Sequence, residues 1–273
     1  MRTLVPTSLA ALAFAALAAV LPASQAQAIP TDGDNILVYG NYSSAVSTAV
    51  SRLQGLGHTV TSGTTLPGDI TSYDTVYFVG ISAAENAAQE QQLVDFVEAG
   101  GGLYLQGERA CCETANEFAE RIVKDLLAEP DQLVTIGGLG DINGPFSYNT
   151  DAFGGHMAGV SDLVTNQQGG ISWTGDADNI YMSGSPAYAI VAGWSGADFT
   201  AGTGSVIVSM DINWILNSNS AEHFNAFQTA MTEGWNTVVA PPPSSEVPLP
   251  AAAPLLLAGL GALGVARRRR RAA

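Results

Sequence analysis

The chain has 273 residues, with 10 Lys and Arg against 25 Asp and Glu and a formal net charge of −15 at pH 7. Six of the ten basic residues are Arg2 and Arg267–Arg271, near the two ends, so the stretch between keeps Arg52, Arg109, Arg121 and Lys124 against every acid. That surface repels phosphate backbones and excludes nucleic-acid binding, while favouring solubility and attraction of cations.

The first segment reads as an address. Arg2 supplies a positive start, Leu9 to Leu21 is an uncharged apolar run, and Ala26-Gln27-Ala28 is an A-x-A cleavage site. Residues 1–28 are therefore expected to be a signal peptide, handled by the secretion machinery and cut by signal peptidase after Ala28. Residues 29–240 are long enough for one domain with a substantial core.

That domain alternates strands and helices. Asn35–Gly40 is a short apolar run ending in Gly, a buried strand signal. Ser43 or Ser44 is expected to cap a helix that carries Val46, Val50 and Leu53 inward and stops at Gly55 and Gly57. His58–Thr61 and Thr75–Gly80 are further strands, separated by a loop at Pro67, Gly68 and Asp69. A helix over 84–99, with Leu93, Phe96 and Val97 inward, stops at Gly100, Gly101 and Gly102. Leu103–Gln106 is a fourth strand. A helix over 113–127 follows, with Phe118, Ile122 and Leu126 inward. From 137 to 186 the composition shifts to Gly, Asn, Asp and Ser, predicting long loops with short strands. Ala189–Gly193 and Ser205–Asp211 are two more strands, and a last helix covers 221–234. Strand–helix–strand units of this length demand parallel pairing. The predicted fold is α/β: a flavodoxin-like, doubly wound, mainly parallel sheet with helices on both faces.

Pro241, Pro242 and Pro243 with Ser244 and Ser245 make a stiff spacer over 241–246. Beyond it come Val247-Pro248-Leu249-Pro250-Ala251, an uncharged run to Ala266, and Arg267, Arg268, Arg269, Arg270 and Arg271. As a helix, 251–266 would span roughly 24 Å against a hydrocarbon core of about 30 Å. The arginines would stay cytoplasmic. The order of motif, apolar helix and Arg cluster resembles the PEP-CTERM class of bacterial sorting tails, in its VPLPA variant. The resemblance implies processing by an exosortase-like membrane protease near the motif. The precursor would be held in the inner membrane by its C-terminal helix with the body outside the cytoplasm. The product would reach the envelope surface of a Gram-negative cell or be secreted. The alternative is a plain single-span anchor.

Phe96-Val97-Glu98-Ala99-Gly100-Gly101-Gly102-Leu103-Tyr104-Leu105 and Gly202-Thr203-Gly204-Ser205-Val206-Ile207-Val208 resemble segments of the class I glutamine amidotransferase-like superfamily. Its catalytic signature, G-x-C-x-G on a strand-to-helix turn with a later His-x-Glu, is missing. Gly107-Glu108-Arg109-Ala110-Cys111-Cys112 puts the thiols late. His58, His156 and His223 have no Glu two residues on.

Three functions follow. The first is a non-catalytic envelope or extracellular component, associated with extracellular polysaccharide as the sorting resemblance implies. The second is a cysteine-dependent hydrolase or transferase. Cys111 or Cys112, beside Glu108 and Arg109 and at a helix N-terminus, would have a lowered pKa, with His156 as base. Against it, Glu108 and Arg109 would simply pair and the cysteines would be buried thiols or a strained vicinal bridge. The third is a calcium-stabilised adhesin-like module using Asp141, Asn143, Asn149 and Asp151, or Asp176, Asp178 and Asn179. These are equally ordinary turn residues and lack an EF-hand pattern. No cofactor is otherwise expected. His223 is expected on a helix flank. Trp173, Trp194, Trp214 and Trp235 are expected in the core, with Trp194 a sugar platform only if exposed.

Overall fold

Four short sequences that are apolar on both faces become the centre of one sheet. The computed structural model describes residues 33–235, apart from 139, 142–145, 165–168, 175–179 and 184–187. The expected processing residues Ala26, Ala28, Val247, Pro248, Leu249, Pro250, Ala251 and Arg267–Arg271 lie outside the described residues. Among the described residues no helix is long and apolar enough to cross a membrane.

Strands β1 (Asn35–Tyr39), β3 (Thr75–Phe78) and β4 (Gly102–Gly107) pair in parallel, and β2 (Thr59–Gly63) flanks β1 in parallel as an exposed edge. β5 (Leu133–Ile136) precedes the Gly-rich middle of the chain, and β6 (Ser147–Tyr148), β7 (Ile171–Trp173) and β8 (Ile180–Ser183) come from within it. Then come β9 (Val191–Ser195) and β10 (Ser205–Met210). The main sheet runs β2-β1-β3-β4-β10-β9-β8-β6, and β5 with β7 forms a separate two-stranded ribbon. β10 pairs with β4 in parallel, whereas β9, β8 and β6 add antiparallel strands beyond it. The reason is the connection: only residues 196–204 join β9 to β10, too few for a crossover helix.

The helices are α1 (Ser43–Gly55), α2 (Ala87–Glu98), α3 (Glu113–Leu126) and α4 (Ser220–Glu233). α1 packs with α4 and α2 with α3, so each face of the sheet carries a helical pair. The fold is α/β and doubly wound.

Local chemistry sets the ends. α2 opens with a capping box: the Asn86 side chain accepts from the amides of Ala88 and Gln89, and Gln89 Oε1 accepts the Asn86 N–H at 3.1 Å. It closes at Gly100, whose φ of 107° suits glycine. α1 departs from expectation. Neither Ser43 nor Ser44 caps it, and its buried stripe is Ala45, Ala49 and Leu53, with Val46 and Val50 only partly covered. Small residues on that stripe let α1 lie close to the sheet.

One polar knot ties α4 to the amino end of the sheet. Thr75 Oγ1 and Tyr77 Oη both donate to Gln228 Oε1, at 3.0 and 2.8 Å, and Gln228 Nε2 donates to Asp34 Oδ2 at 2.9 Å. His58 Nδ1 lies 3.3 Å from the same Asp34 oxygen. Burial pushes the Asp34 pKa up, but the hydrogen bonds from His58 and Gln228 and the charge on His58 outweigh it and hold it below its ordinary 3.8. A depressed carboxyl stabilises the fold above its unfolded pKa, and that contribution fades as pH falls through the folded value. Thermal melts between about pH 5 and about pH 2 should show Asp34→Asn losing its deficit against wild type toward the acid end. A deficit constant with pH would contradict this.

Candidate functional site

Ligands of open α/β sheets bind beyond the carboxyl ends of the parallel strands. Here that rim consists of the turns after β1, β3, β4 and β10. Asn41 joins the first two. Its Oδ1 accepts the Ile81 N–H at 3.1 Å, and its Nδ2 donates to the Ser82 carbonyl at 3.0 Å and to the Ser82 hydroxyl.

The turn after β4 carries the residues singled out in the sequence. Glu108 is only 5% exposed. Its Oε1 accepts the Ile212 N–H at 2.7 Å and its Oε2 the Arg109 N–H at 3.3 Å. Burial raises its pKa above the ordinary 4.5; the Ile212 bond opposes this and the nearby Asp211 adds to it. Glu108 and Arg109 do not pair through their side chains as expected. Arg109 Nη1 instead reaches the Asp141 carboxylate at 3.3 and 3.4 Å, and the guanidinium also meets Cys111.

Asn116, one turn into α3, holds this segment in shape. Its Oδ1 accepts the Glu108 N–H at 2.7 Å and its Nδ2 points to the Arg109 carbonyl at 3.4 Å. Sequence reasoning missed it. The signal was present, since an Asn sits at helical spacing with Ala119 and Val123 on the inward face, and a buried amide needs partners. Two glycines crowd the same turn. A Cβ on Gly169 would lie 2.5 Å from the Glu108 carbonyl, and one on Gly137 would lie 2.9 Å from it. The β5–β7 ribbon is thereby seated directly on the end of β4.

The thiols are not buried. Cys111 is exposed and Cys112 half-buried, because residues 109–112 form the turn before α3 and the first inward helix residue is Ala115. The two Sγ atoms are 2.6 Å apart. The expected lowering of the thiol pKa is overturned for Cys112, which is pushed up to about 12. Burial contributes most, then the hydrogen bond with Cys111 and the charges of Cys111 and Glu108; Arg109 opposes them.

His156 does not join the cysteines. Its Nε2 lies 4.0 Å from the Glu233 carboxylate, at the last residue of α4. That end of α4 places Met231 against Gly102, where β4 begins, while the thiols follow its far end. A six-residue strand separates the two by about 20 Å. His223 is not on a flank. It is 1% exposed among Tyr181, Trp214 and Phe227, and burial holds its pKa below the ordinary 6.5. Trp194, Trp214 and Trp235 are buried, so Trp194 offers no sugar platform; the Trp173 side chain lies outside the described residues.

Asn143, Asp176, Asp178 and Asn179 also lie outside the described residues. Asp141 is occupied by Arg109. The Asp151 N–H donates to Asn149 Oδ1 at 2.9 Å, the local turn such residues make on their own. Among the described residues, one group brings three metal-ligating atoms together: a Glu108 carboxylate oxygen and the Cys111 and Cys112 sulfurs, all within 4.8 Å of one another.

A cleft of about 710 Å³ opens at the opposite, amino end of the sheet, lined by Asp34, Asp69, Asp74, Asp95, Tyr73 and Phe96 among others. Its carboxylates are engaged locally. Asp69 takes Thr71, Asp74 takes the Asn35 N–H, Asp95 takes Gln91, and Asp34 belongs to the Gln228 knot.

Fold and rim thus define an α/β doubly wound domain whose turn after β4 is filled by its own side chains. Residues 246–271 match the PEP-CTERM protein-sorting motif, which marks an exported, membrane-sorted protein. No curated protein matches the chain. Among solved structures it is similar to the "mmIFT52 N-terminal domain", at 13% identity and TM-score 0.48 over 72% of this chain and 97% of that one. It is also similar to "Exo-beta-1,4-mannosidase Op5Man5 from Opitutaceae bacterium strain TAV5", at 13% identity and TM-score 0.42 over 73% of this chain and 36% of that one. Likenesses of that degree carry no argument about activity.

Proposed function

We propose that the protein delivers a non-catalytic α/β domain, related in layout to the class I glutamine amidotransferase-like superfamily, to the cell envelope, where it serves as an interaction component associated with extracellular polysaccharide. Signal peptidase removes residues 1–28. An exosortase-like protease then cuts near Val247-Pro248-Leu249-Pro250-Ala251, while the Arg cluster stays cytoplasmic and the body lies across the membrane. The observation that carries the non-catalytic reading is Glu108. At the strand end where an elbow nucleophile would stand, a buried carboxylate is spent on the backbone amides of Ile212 and Arg109. The thiols lie three and four residues further on, and the histidine with the best loop position pairs with Glu233 instead.

Thiol titration of the exported protein, with and without reductant, tests this. Cys112 should react slowly at neutral pH, since a thiol near pKa 12 is almost wholly protonated. A single fast-reacting thiol with a depressed pKa would restore the hydrolase reading. Intact mass of protein recovered from cells tests the delivery. The expected species begins at Ile29 and lacks the tail; a mass retaining the apolar helix and arginines in the mature pool would count against processing.

A further inference from the structure

We propose that Glu108, Cys111 and Cys112 form a binding site for one soft divalent cation of the zinc–cadmium class, held by two thiolates and one carboxylate oxygen, with a fourth position open. This goes beyond the non-catalytic reading and stands or falls separately from it.

The donor set comes first. Two sulfurs and a carboxylate oxygen suit a borderline-soft cation, whereas calcium and magnesium take oxygen alone. The three atoms already converge within 4.8 Å. Tetrahedral ligation with metal–sulfur bonds of about 2.3 Å puts two sulfurs about 3.8 Å apart. From 2.6 Å they must open by roughly 1 Å. A side-chain rotation supplies that, because neither thiol is locked into the core. Glu108 cannot swing away. Ile212 and Arg109 each donate to one of its oxygens, and a carboxylate keeps further lone pairs for a metal. Those donors are the kind of outer-shell partners that orient metal ligands.

Electrostatics agrees. Three groups that can each carry a negative charge share one turn, and the nearest guanidinium, on Arg109, is shared between Asp141 and Cys111. A dication neutralises them where one arginine does not. The excess of acids over the rest of the domain raises the local cation concentration. The balance is simple: the cation binds two thiolates and one carboxylate, and two thiol protons leave to solvent.

The exported protein recovered from cells, reduced and stripped with chelator, is titrated with Cd²⁺. Expected are one cadmium retained per chain after gel filtration, a sulfur-to-metal charge-transfer band, release of about two protons, and displacement by Zn²⁺. The double variant Cys111→Ser/Cys112→Ser should lose the band and bind at least about 100-fold more weakly, and Glu108→Gln about 10-fold more weakly. Melting curves establish that each variant is folded, and the cysteine variants, outside the core, keep the test valid if Glu108→Gln unfolds. Reduced wild type that retains no cadmium, or a cysteine double variant that retains it as tightly as wild type, overturns the site. A folded Glu108→Gln with unchanged affinity removes the carboxylate from it.

Discussion

Gln228→Leu should lower the melting temperature by roughly 10 °C, the loss expected from about 3–5 kcal/mol in a domain of this size. The side chain fits the space, so the cost is chemical. Thr75 and Tyr77 stand two apart on β3 and therefore face the same helix, and both buried hydroxyls donate to the one oxygen of Gln228. Leucine leaves each without its acceptor, and a buried polar group without a partner costs about 1–3 kcal/mol. It also removes the donor to Asp34, so the acid transition should move to higher pH, because a carboxyl with less support protonates sooner. Gln228→Glu separates these effects. It keeps an acceptor for the hydroxyls but sets a second carboxylate against Asp34, so it should be weakened at neutral pH and recover as pH falls. If Gln228→Leu melts within about 2 °C of wild type, the knot is not what fastens α4 to the sheet.

How much of this was legible in the sequence depends on the kind of interaction. The central strands were, because Ile36–Tyr39, Val76–Phe78, Leu103–Leu105 and Val206–Val208 are buried on both faces and a continuous apolar run is the direct imprint of that. The inward stripe of α3 was, for the same reason at helical spacing. Pairing was less so. Periodicity reports which face is buried, not which neighbour lies alongside; the antiparallel pairing of Val191–Ser195 with β10 is marked only by the short 196–204 connection. The Asn86–Gln89 capping box is readable in the sequence, and it starts α2 three residues later than apolar spacing alone suggests.

The rim was the hardest part. Glu108 and Arg109 are adjacent and opposite in charge, which suggests a pair, yet successive residues on a strand end point apart, and each finds its partner elsewhere, at Ile212 and Asp141. His156 looked available because its loop is rich in glycine. Its position is fixed by Phe153, which packs on Trp235 at 5.0 Å between ring centres and carries the loop to the amino end of the sheet. Contacts between residues 82 positions apart leave no trace in spacing.

Gly137→Ala is the sharpest probe of how the rim is built. Gly137 has φ of 80°, where an added Cβ costs about 1–2 kcal/mol by itself. The Cβ would also lie 2.0 Å from Asn116 Nδ2, too close to be absorbed without moving that amide. Asn116 is the acceptor for the buried Glu108 N–H, so its displacement adds about 1–3 kcal/mol for an unpaired backbone donor. The sum, about 2–5 kcal/mol, should appear as a melting point lowered by roughly 10 °C. Its location is the more telling readout. Hydrogen exchange at the Glu108 amide should accelerate more than at Leu103 or Tyr104 in the middle of β4, since the strand pairing there is untouched. Cys112 should react faster with a thiol reagent, because loosening the turn relieves the burial that contributes most to its raised pKa. Uniform destabilisation, with the Glu108 amide and Cys112 no more affected than the rest, would mean that the β5–β7 ribbon supports the domain without shaping the turn. A local response would establish that the ribbon, which borders the stretch of sequence that reads most like plain loop, sets the environment of the Glu108–Cys112 segment.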